Sequence, residues 1–249
     1  MNKNKKNFCG LIILVFCILA GILLLLSQKP VSKYDESLNF IVVVSDDQRA
    51  DTLWAMENLE REFLSKGVKF DNGFVTTPVC CPSRANILTG LYGHNTGVLR
   101  NNPPHGGFSE FDDSQSLGLW LQKAGYTTAL IGKYLNGYKQ SPQYIPPGWS
   151  KWIAFTEIGY DKFILNMDGK TKEFQESDGV YSTDLLFENG INFIKENEKK
   201  PFFLYLAPYS CHSPATPKNE DKKKFADFLN RPLSYNEKNL NDKPSFYRS

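Results

Sequence analysis

The sequence predicts an α/β fold in which a largely parallel β-sheet is sandwiched between helices. Short apolar runs, rich in β-branched and aromatic residues, alternate along the chain with longer segments that have helical character. This alternation favours parallel strands that are joined by helices on both faces of the sheet. Polar residues directly follow the apolar runs, and ligand sites in such sheets lie at the carboxyl ends of the strands.

Three apolar runs are predicted to be buried strands. They are NFIVVVS (39–45), YTTALIGK (126–133) and PFFLYLAPY (201–209). Continuous apolar runs of this length suit strands that are covered on both faces. A fourth segment, VKFDNGFVTT (68–77), is predicted to be extended as well.

Four segments are predicted to be helices. Gly67 directly follows the first of these segments and is placed to end that helix. Pro82 directly precedes the second segment, at a helix start where a proline is accepted because its missing N–H costs nothing. The segments are TLWAMENLEREFLSK (52–66), SRANILTG (83–90), SLGLWLQKAG (116–125) and YSTDLLFENGINFIKENE (181–198). The stretch 136–172, rich in Pro, Gly and aromatic residues, is predicted to be a long loop over the functional face of the sheet.

The first 38 residues form a separate unit, predicted to be a membrane anchor or signal segment with a linker. Three lysines precede an uninterrupted apolar run, 8–26, which as a helix spans about 28 Å, close to the roughly 30 Å of a bilayer core. The run ends in bulky leucines where signal-peptide cleavage needs small residues, so an uncleaved anchor is favoured over a cleaved, secreted form. With the lysines inside, the rest of the chain lies outside the cytoplasm.

The charge balance excludes one class of partner. The 249-residue chain has a formal net charge of +2, which becomes −1 without the three N-terminal lysines. An exported part that is nearly neutral gives no electrostatic basis for binding nucleic acid. The hydrophobic content of 41% suffices for a sizeable buried core.

Two adjacent cysteines, Cys80 and Cys81, precede a Pro-Ser-Arg step in VCCPSRANILTG (79–90). One interpretation is a pair of small buried residues, and another is disulfide bonding, although neighbouring cysteines bridge each other only with strain. A third starts from position, because Cys80 lies just before a predicted helix whose free N–H groups and dipole favour negative charge. Arg84 adds a permanent cation nearby, which predicts a site that receives an oxyanion.

The stretch CCPSRANILTG resembles the signature of the sulfatase family, C-x-P-S-R followed by a spacer and T-G. The resemblance implies that Cys80 is oxidised by a separate maturation enzyme to formylglycine, an aldehyde whose hydrate is the nucleophile. Cys81 falls on the variable position of the signature and is expected to be a packing residue. The resemblance covers residues 39–249 and implies an alkaline-phosphatase-like sulfatase fold for that domain.

Three further elements resemble the family in the same order along the chain. Asp46 and Asp47 resemble its first pair of metal ligands, Lys133 in GKYLNGY its active-site lysine, and His212 in PFFLYLAPYSCHSPATP its sulfate-contacting histidine. Each has an ordinary alternative, since paired aspartates often cap a helix or form a turn, and a single lysine or histidine is more often a surface or loop residue. Agreement of four elements in order and spacing favours the functional interpretation.

The resemblance implies a metal site and an oxygen nucleophile. Asp46, Asp47 and the modified Cys80 are expected to bind one divalent cation, Ca²⁺, which polarises the sulfate. Arg84 is expected to stabilise the formylglycine hydrate. One hydroxyl of that hydrate attacks sulfur in line, and the alcohol leaves as its bond to sulfur breaks. Loss of the proton from the other hydroxyl then expels sulfate and restores the aldehyde.

The resemblance also implies the groups that hold the sulfate. Lys133 and His212 are expected to bind sulfate oxygens, and one of them to protonate the departing oxygen. The remaining polar candidates are His94 and His105, predicted to be structural or rim residues, and Asn101 and Asn102, candidates to line the pocket.

The segments CCPSRANILTG, GKYLNGY and RPLSYNEKNLNDKPSFYR (231–248) most resemble the N-acetylglucosamine-6-sulfatase and heparan-sulfatase branch of the family. That likeness implies a sulfated carbohydrate as the substrate. The aromatic stretch with Trp149, Trp152, Phe155 and Tyr160 is predicted either to stack on sugar rings or to form a local hydrophobic cluster.

The sequence departs from the family pattern near its end. A second metal-ligand pair, an Asp-Asn step, and a further active-site lysine lie beyond residue 249 in the family. We therefore expect the catalytic domain to be incomplete at its C-terminus and the 249-residue chain to be inactive alone. Two other functions stay open: a non-catalytic remnant that binds sulfated glycans or has no ligand, and a phosphonate or phosphate monoester hydrolase of the same superfamily.

Overall fold

The computed structural model describes residues 38–224 and 237–245, and within these ranges one six-stranded sheet is present. Its strands are β1 (Phe40–Val43), β2 (Thr127–Gly132), β3 (Lys151–Glu157), β4 (Phe163–Met167), β5 (Lys170–Phe174) and β6 (Phe202–Ala207). The spatial order is β1-β6-β2-β3-β4-β5. The three apolar runs predicted to be strands are confirmed as β1, β2 and β6.

The sheet is parallel at one side and antiparallel at the other. Strands β1, β6, β2 and β3 are parallel neighbours, whereas β3, β4 and β5 pair antiparallel. The predicted α/β class is confirmed, and the predicted parallel sheet holds for these first four strands. The antiparallel extension makes the whole sheet mixed.

Helices follow the strands as the sequence predicts. The three longer ones are α1 (Cys80–Thr89), α2 (Leu117–Lys123) and α3 (Ser182–Asn197). Gly90 ends α1 in the left-handed region, with φ of 69°, and the Ser116 hydroxyl accepts the Leu119 N–H at the start of α2. Shorter helical turns are Gly93–Thr96, Phe108–Glu110, Asp113–Gln115, Tyr138–Gln140 and Glu176–Asp178.

The first predicted helix is broken into three pieces. A 3₁₀ stretch, Ala50–Ala55, is followed by a single α-turn, Glu57–Leu59, and a π-helical turn, Glu60–Leu64, and none of the three contains a buried residue. An amphipathic helix gains most of its stability from packing its apolar face, and here Leu53, Leu59 and Leu64 of that face are only half-buried by the residues that the structure describes. The segment 68–77, predicted to be extended, forms no strand, and its aromatic residues Phe70 and Phe74 are exposed.

The prediction of a long loop at 136–172 is wrong, because this stretch contains β3, β4 and the start of β5. The aromatic side chains of Trp149, Trp152, Phe155 and Tyr160 are each at most 8% exposed. They are therefore core residues, and the alternative in which they stack on sugar rings is wrong. The indole N–H of Trp152 donates to the Tyr138 hydroxyl at 2.8 Å, which satisfies its polar atom within the core.

The core lies on both faces of the sheet. Residues that alternate along β2 point to opposite sides: Leu130 joins the cluster packed against α1, and Ile131 joins the cluster packed against α3. In β6, Tyr205 and Leu204 divide in the same way. This confirms the predicted sandwich and explains why the strand sequences are continuously apolar.

Backbone hydrogen bonds hold the carboxyl ends of three strands together. Beyond β2, the Lys133 N–H donates to the Ala207 carbonyl at 2.7 Å, and beyond β1, the Asp46 N–H donates to the Ser210 carbonyl at 3.0 Å. These bonds continue the parallel ladder into the loops. They bring the polar residues that follow β1, β2 and β6 to one edge of the sheet.

No helix within 38–224 or 237–245 combines the length and the apolar character needed to cross a bilayer. The apolar run 8–26, predicted to be an anchor, lies outside the described residues, and so do residues 231–236 and 246–248 of the segment 231–248.

Candidate active site

Helix α1 places Cys80 at its first position. Val79 before it is extended and offers no side-chain cap, but the side-chain oxygen of Asn101 accepts the Cys81 N–H at 2.9 Å. Pro82 lies in the first turn, where no intrahelical N–H is needed. The helix thus begins three residues before the predicted start at Ser83, and Cys80 lies inside its first turn, at the end where the dipole favours an anion.

The Asp46 carboxylate lies at the centre of a buried charge cluster. Its Oδ2 forms an ion pair with the Lys133 ammonium, and its Oδ1 lies 3.4 Å from Nη2 of Arg84. All three residues are only 3% exposed. Two buried cations beside one carboxylate leave an excess of positive charge, which favours binding of an oxyanion in front of them.

A single hydrogen bond links the two cationic residues. Nη1 of Arg84 donates to the carbonyl of Lys133 at 2.8 Å, which joins α1 to the end of β2. The Cys80 Sγ lies 3.9 Å from Oδ1 of Asp46. Cys80, the predicted nucleophile position, and both cations therefore surround the same carboxylate.

Gly132 lets β2 end close to β6. Its φ is 119°, and a Cβ built there would lie 2.0 Å from the Ala207 carbonyl oxygen. Only glycine adopts this conformation at such a close approach. Lys133 is the next residue, so this contact determines where the ammonium group emerges.

His212 lies in the loop after β6 and faces the second aspartate. Its Nε2 lies 3.5 Å from Oδ2 of Asp47. The Nδ1 end contacts the Tyr209 hydroxyl at 2.8 Å, and the Tyr160 hydroxyl donates to the His212 carbonyl at 2.6 Å. Asp47 itself is exposed and has φ of 55°.

The structure brings together the residues that the sequence singled out. A cavity of about 260 Å³ is bordered by Asp46, Asp47, Cys80 and Arg84, and Lys133 and His212 contact the two aspartates. The ordinary alternatives do not describe Lys133, which is buried, or Asp46, which pairs with cations instead of capping a helix. They still describe Asp47, which is exposed, and His212, which lies in a loop.

The remaining polar candidates lie apart from this cluster or support it. His94 and His105 are exposed, and His94 stacks on Tyr92 with ring centroids 5.8 Å apart. Asn102 is exposed, whereas Asn101 holds the first turn of α1 through its bond to Cys81.

Sequence analysis missed the residues that hold the cluster in place. Tyr209 and Tyr160 hold His212, and Gly132 determines the position of Lys133. Tyr209 follows the predicted strand end, which is the same signal that identified Lys133. No comparable signal marks Tyr160, because its contact with His212 joins residues that are distant in the sequence.

The two cysteines have different surroundings. Cys81 is fully buried, and burial raises the pKa of its thiol, which suppresses the reactive thiolate. Cys80 is only partly buried and borders the cavity. Burial, with smaller contributions from Asp46 and Asp47, also raises the pKa of Tyr209, so its hydroxyl keeps its proton at neutral pH.

The donor set fits part of a shell for a hard divalent cation. Asp46 and Asp47 offer carboxylate oxygens, and ligand atoms of Asp46, Cys80 and His212 lie within 4.8 Å of one another. Among the described residues, these groups supply fewer oxygens than the roughly six to eight that Ca²⁺ takes. An oxygen-bearing residue at position 80 would suit Ca²⁺ better than a thiol, because hard cations prefer oxygen ligands.

Known proteins of one family are similar to this chain. A family profile described as Sulfatase matches residues 38–241. The chain is 33% identical over 198 residues to the extracellular sulfatase SULF-1 homolog of Drosophila melanogaster, covering 76% of this chain and 18% of that protein. It is 31% identical over 214 residues to the N-acetylglucosamine-6-sulfatase of Homo sapiens, covering 80% and 39%.

A solved structure shares the fold. BT4656, in complex with its substrate D-glucosamine-2-N,6-O-disulfate, matches with a TM-score of 0.67 at 25% identity, over 79% of this chain and 39% of that chain. The chain thus spans between 18% and 39% of the length of these three proteins.

Proposed function

This chain belongs to the sulfatase family, and on that premise we propose that it hydrolyses sulfate esters carried by a sulfated sugar. The observation that carries the proposal is the buried cluster in which Lys133 and Arg84 flank Asp46 beside Cys80. The relatives support the sugar, because the human protein is named an N-acetylglucosamine-6-sulfatase and BT4656 binds a disulfated glucosamine as its substrate.

The cluster suits the charge of a sulfate ester. The sulfuryl oxygens of the ester carry negative charge that the site must stabilise while the sulfuryl group is transferred. Arg84 and Lys133 supply two fixed cations, and the N-terminal end of α1 adds the partial positive charge of the helix dipole. Because the residues are already packed and hydrogen-bonded, little reorganisation is needed when the substrate binds.

Residue 80 is the proposed nucleophile position. Formylglycine at this position supplies a hydroxyl group of its hydrate for attack on sulfur. Cys80 is partly exposed and can reach a maturation enzyme, whereas Cys81 is fully buried. Arg84 lies four residues further along α1 and holds positive charge beside this position.

His212 is the better placed of the two candidate proton donors. The Lys133 ammonium is already paired with Asp46 and is buried. The His212 side chain is 30% exposed, and its Nε2 faces Asp47 at the rim of the cluster. We therefore assign protonation of the departing sugar oxygen to His212 and charge stabilisation to Lys133.

Asp46 and Asp47 would hold one divalent cation, Ca²⁺, with residue 80 as a further ligand. Such a cation draws electron density from the sulfuryl oxygens. Chelation followed by titration with Ca²⁺ tests this assignment, with the change in melting temperature as a readout that does not need turnover. Stabilisation by Ca²⁺ that is lost in Asp47→Asn supports the site.

The proposed place of action is outside the cytoplasm. The Drosophila relative is named an extracellular sulfatase, and the lysines before the apolar run 8–26 favour an anchor with the catalytic part exported. The partners that follow from the proposal are a sulfated carbohydrate, a formylglycine-generating maturation enzyme and the membrane. The near-neutral exported part gives no reason to propose nucleic acid.

An activity assay after coexpression with a maturation enzyme tests the function. The 249-residue chain, and any longer product of the same gene, are offered sulfate, phosphate and phosphonate monoesters. Cys80→Ala should lower sulfate-ester turnover at least about a thousandfold, and the matched Cys81→Ala should not. Turnover confined to phosphate or phosphonate esters would support the alternative of a phosphonate or phosphate monoester hydrolase. Binding of sulfated glycans without any turnover would support the alternative of a non-catalytic remnant.

A further inference from the structure

Tyr209 contacts two of the proposed sulfate-binding residues. Its hydroxyl lies 2.8 Å from Nδ1 of His212, and the two rings stack with centroids 4.8 Å apart. The Lys133 Nζ lies 5.8 Å from the centroid of the Tyr209 ring, within the range of a cation–π contact. A single side chain therefore borders both groups that are expected to hold sulfate.

The hydrogen bonds around Nδ1 decide which end of the imidazole faces the cluster. The Tyr209 hydroxyl donates to the Ser213 carbonyl at 2.6 Å, and Nδ1 of His212 lies 2.8 Å from the same carbonyl oxygen. Because a carbonyl oxygen only accepts, the contact between Nδ1 and the Ser213 oxygen is a hydrogen bond in the tautomer that carries its proton on Nδ1. In that tautomer the one Nδ1–H is shared between the Ser213 and Tyr209 oxygens, because the tyrosine gives its own proton to Ser213.

Other contacts hold the backbone of this loop. The Tyr160 hydroxyl donates to the His212 carbonyl at 2.6 Å, and the Asp46 N–H donates to the Ser210 carbonyl at 3.0 Å. The position of the His212 backbone therefore does not depend on the Tyr209 side chain alone. What the Tyr209 hydroxyl adds is the orientation of the ring.

Building on the proposed function, we propose that Tyr209 is a positioning residue for the sulfate site. It accepts a hydrogen bond from Nδ1 of His212, which keeps Nε2 facing Asp47 and the cluster. Its ring also limits the space open to the Lys133 ammonium. The residue acts through His212 and Lys133 and does not itself touch the reacting atoms.

Histidine ring nitrogens report this role directly. The full 249-residue chain, labelled with ¹⁵N-histidine and kept in mild detergent, contains three histidines, and loss of one signal set in His212→Asn assigns His212. Proton-detected ¹⁵N spectra at about pH 9, above the usual range of imidazole titration, measure the ratio of Nδ1–H to Nε2–H. Tyr209→Phe removes only the hydroxyl, and Tyr181→Phe is the matched control.

Tyr181 suits this control because it belongs to the same aromatic group, with its ring stacked on Tyr160. Its hydroxyl donates to the Thr216 carbonyl and not to His212. We expect His212 to carry its proton on Nδ1 in the wild type. Tyr209→Phe should lower the Nδ1–H to Nε2–H ratio about fivefold, as for one lost neutral hydrogen bond. Tyr181→Phe should leave the ratio unchanged.

Titration with inorganic sulfate at about pH 6, followed on the same signals, adds a functional readout. Tyr209→Phe should weaken sulfate binding about fivefold, and Tyr209→Leu, which also removes the ring beside Lys133, should weaken it further. A wild-type proton on Nε2, or a Tyr209→Phe ratio equal to that of Tyr181→Phe, overturns the proposal. If the ratio shifts but neither the 249-residue chain nor any longer product of the same gene binds sulfate or hydrolyses its esters, the positioning role stands and the proposed function fails.

Discussion

The ammonium group of Lys133 forms an ion pair with the carboxylate of Asp46, and both side chains are only 4% exposed. The two residues are 87 positions apart in the sequence and follow different strands, β2 and β1. Arg84 contacts the other oxygen of the same carboxylate. Stability and the proposed chemistry therefore depend on one buried acidic group.

Replacing Asp46 with Asn should destabilise the fold as well as abolish activity. The substitution leaves Lys133 and Arg84 as buried cations without a counter-charge, which typically costs about 3–5 kcal/mol. The matched variant is Asp47→Asn, whose side chain is 62% exposed and whose loss should change the free energy of unfolding by less than about 0.5 kcal/mol.

Urea unfolding of both variants measures the difference, and Ca²⁺ titration of the same samples measures the metal site. Both substitutions should weaken Ca²⁺ binding and activity, but only Asp46→Asn should shift the unfolding midpoint strongly. Equal midpoints for the two variants would contradict the central role of Asp46.

Maturation should modify Cys80 and leave Cys81 intact. Cys80 borders the cavity and is partly exposed, whereas Cys81 is buried in the core that packs against α1. After coexpression with a maturation enzyme, mass spectrometry of the peptide that spans residues 70–84 locates the modification. An altered Cys81 beside an unmodified Cys80 would show that the assignment is wrong.

Replacing Gly132 with Ala should disrupt the end of β2. The new Cβ would lie 2.0 Å from the Ala207 carbonyl oxygen at φ of 119°, so strain and overlap together should cost about 3 kcal/mol or more. Gly179→Ala is the control, because Gly179 also has positive φ, 65°, but nothing lies within 4 Å of its Cβ position. Its cost should be only about 1 kcal/mol.

Thermal or urea unfolding compares the two glycine variants. Because Lys133 follows Gly132 directly, the first variant should also weaken sulfate binding in the fraction that folds. If both variants lost the same stability, the close approach of β2 to β6 would not be the cause.

Stability should fall at strongly alkaline pH, in part through Tyr144. Tyr144 is 41% exposed, so its burial is partial; that partial burial, and then the hydrogen bond to Asp113, raise the pKa of this tyrosine to about 12, above the value of about 10 in an unfolded chain. The folded state therefore holds the proton more tightly. The contribution of protonated Tyr144 to the free energy of unfolding is fully present below about pH 10 and is lost as the pH rises through about 12.

Urea midpoints measured at intervals between about pH 9 and pH 12 test this pH dependence. Tyr144→Phe should reduce the alkaline loss of stability, and Asp113→Asn should reduce it by a smaller amount, since burial of Tyr144 remains. An alkaline profile that is identical in wild type and Tyr144→Phe would exclude Tyr144 as a contributor.

Local patterns in the sequence were enough to predict β1, β2, β6 and the helices α1 to α3. The strands are continuous apolar runs, and the helices have clear start or stop residues such as Ser116 and Gly90, so neighbouring residues alone specify them. The failure at 50–64 has the opposite cause. That stretch has helical periodicity, but none of its residues is fully buried by the described part of the chain. Helical periodicity alone does not stabilise a regular helix.

The sequence by itself determined three of the four parallel strands, β1, β2 and β6, and which residues follow them, because strand identity and polar termination are local properties. Only the tertiary structure decided that Asp46, Lys133 and Arg84 share one buried contact, and that Tyr209 and Tyr160 hold His212. It also decided that 136–172 adds strands β3, β4 and β5 in place of a loop. These features depend on contacts between residues that are far apart in the chain. For such contacts, burial and the close approach of two backbone segments, not local propensity, determine the free energy of folding.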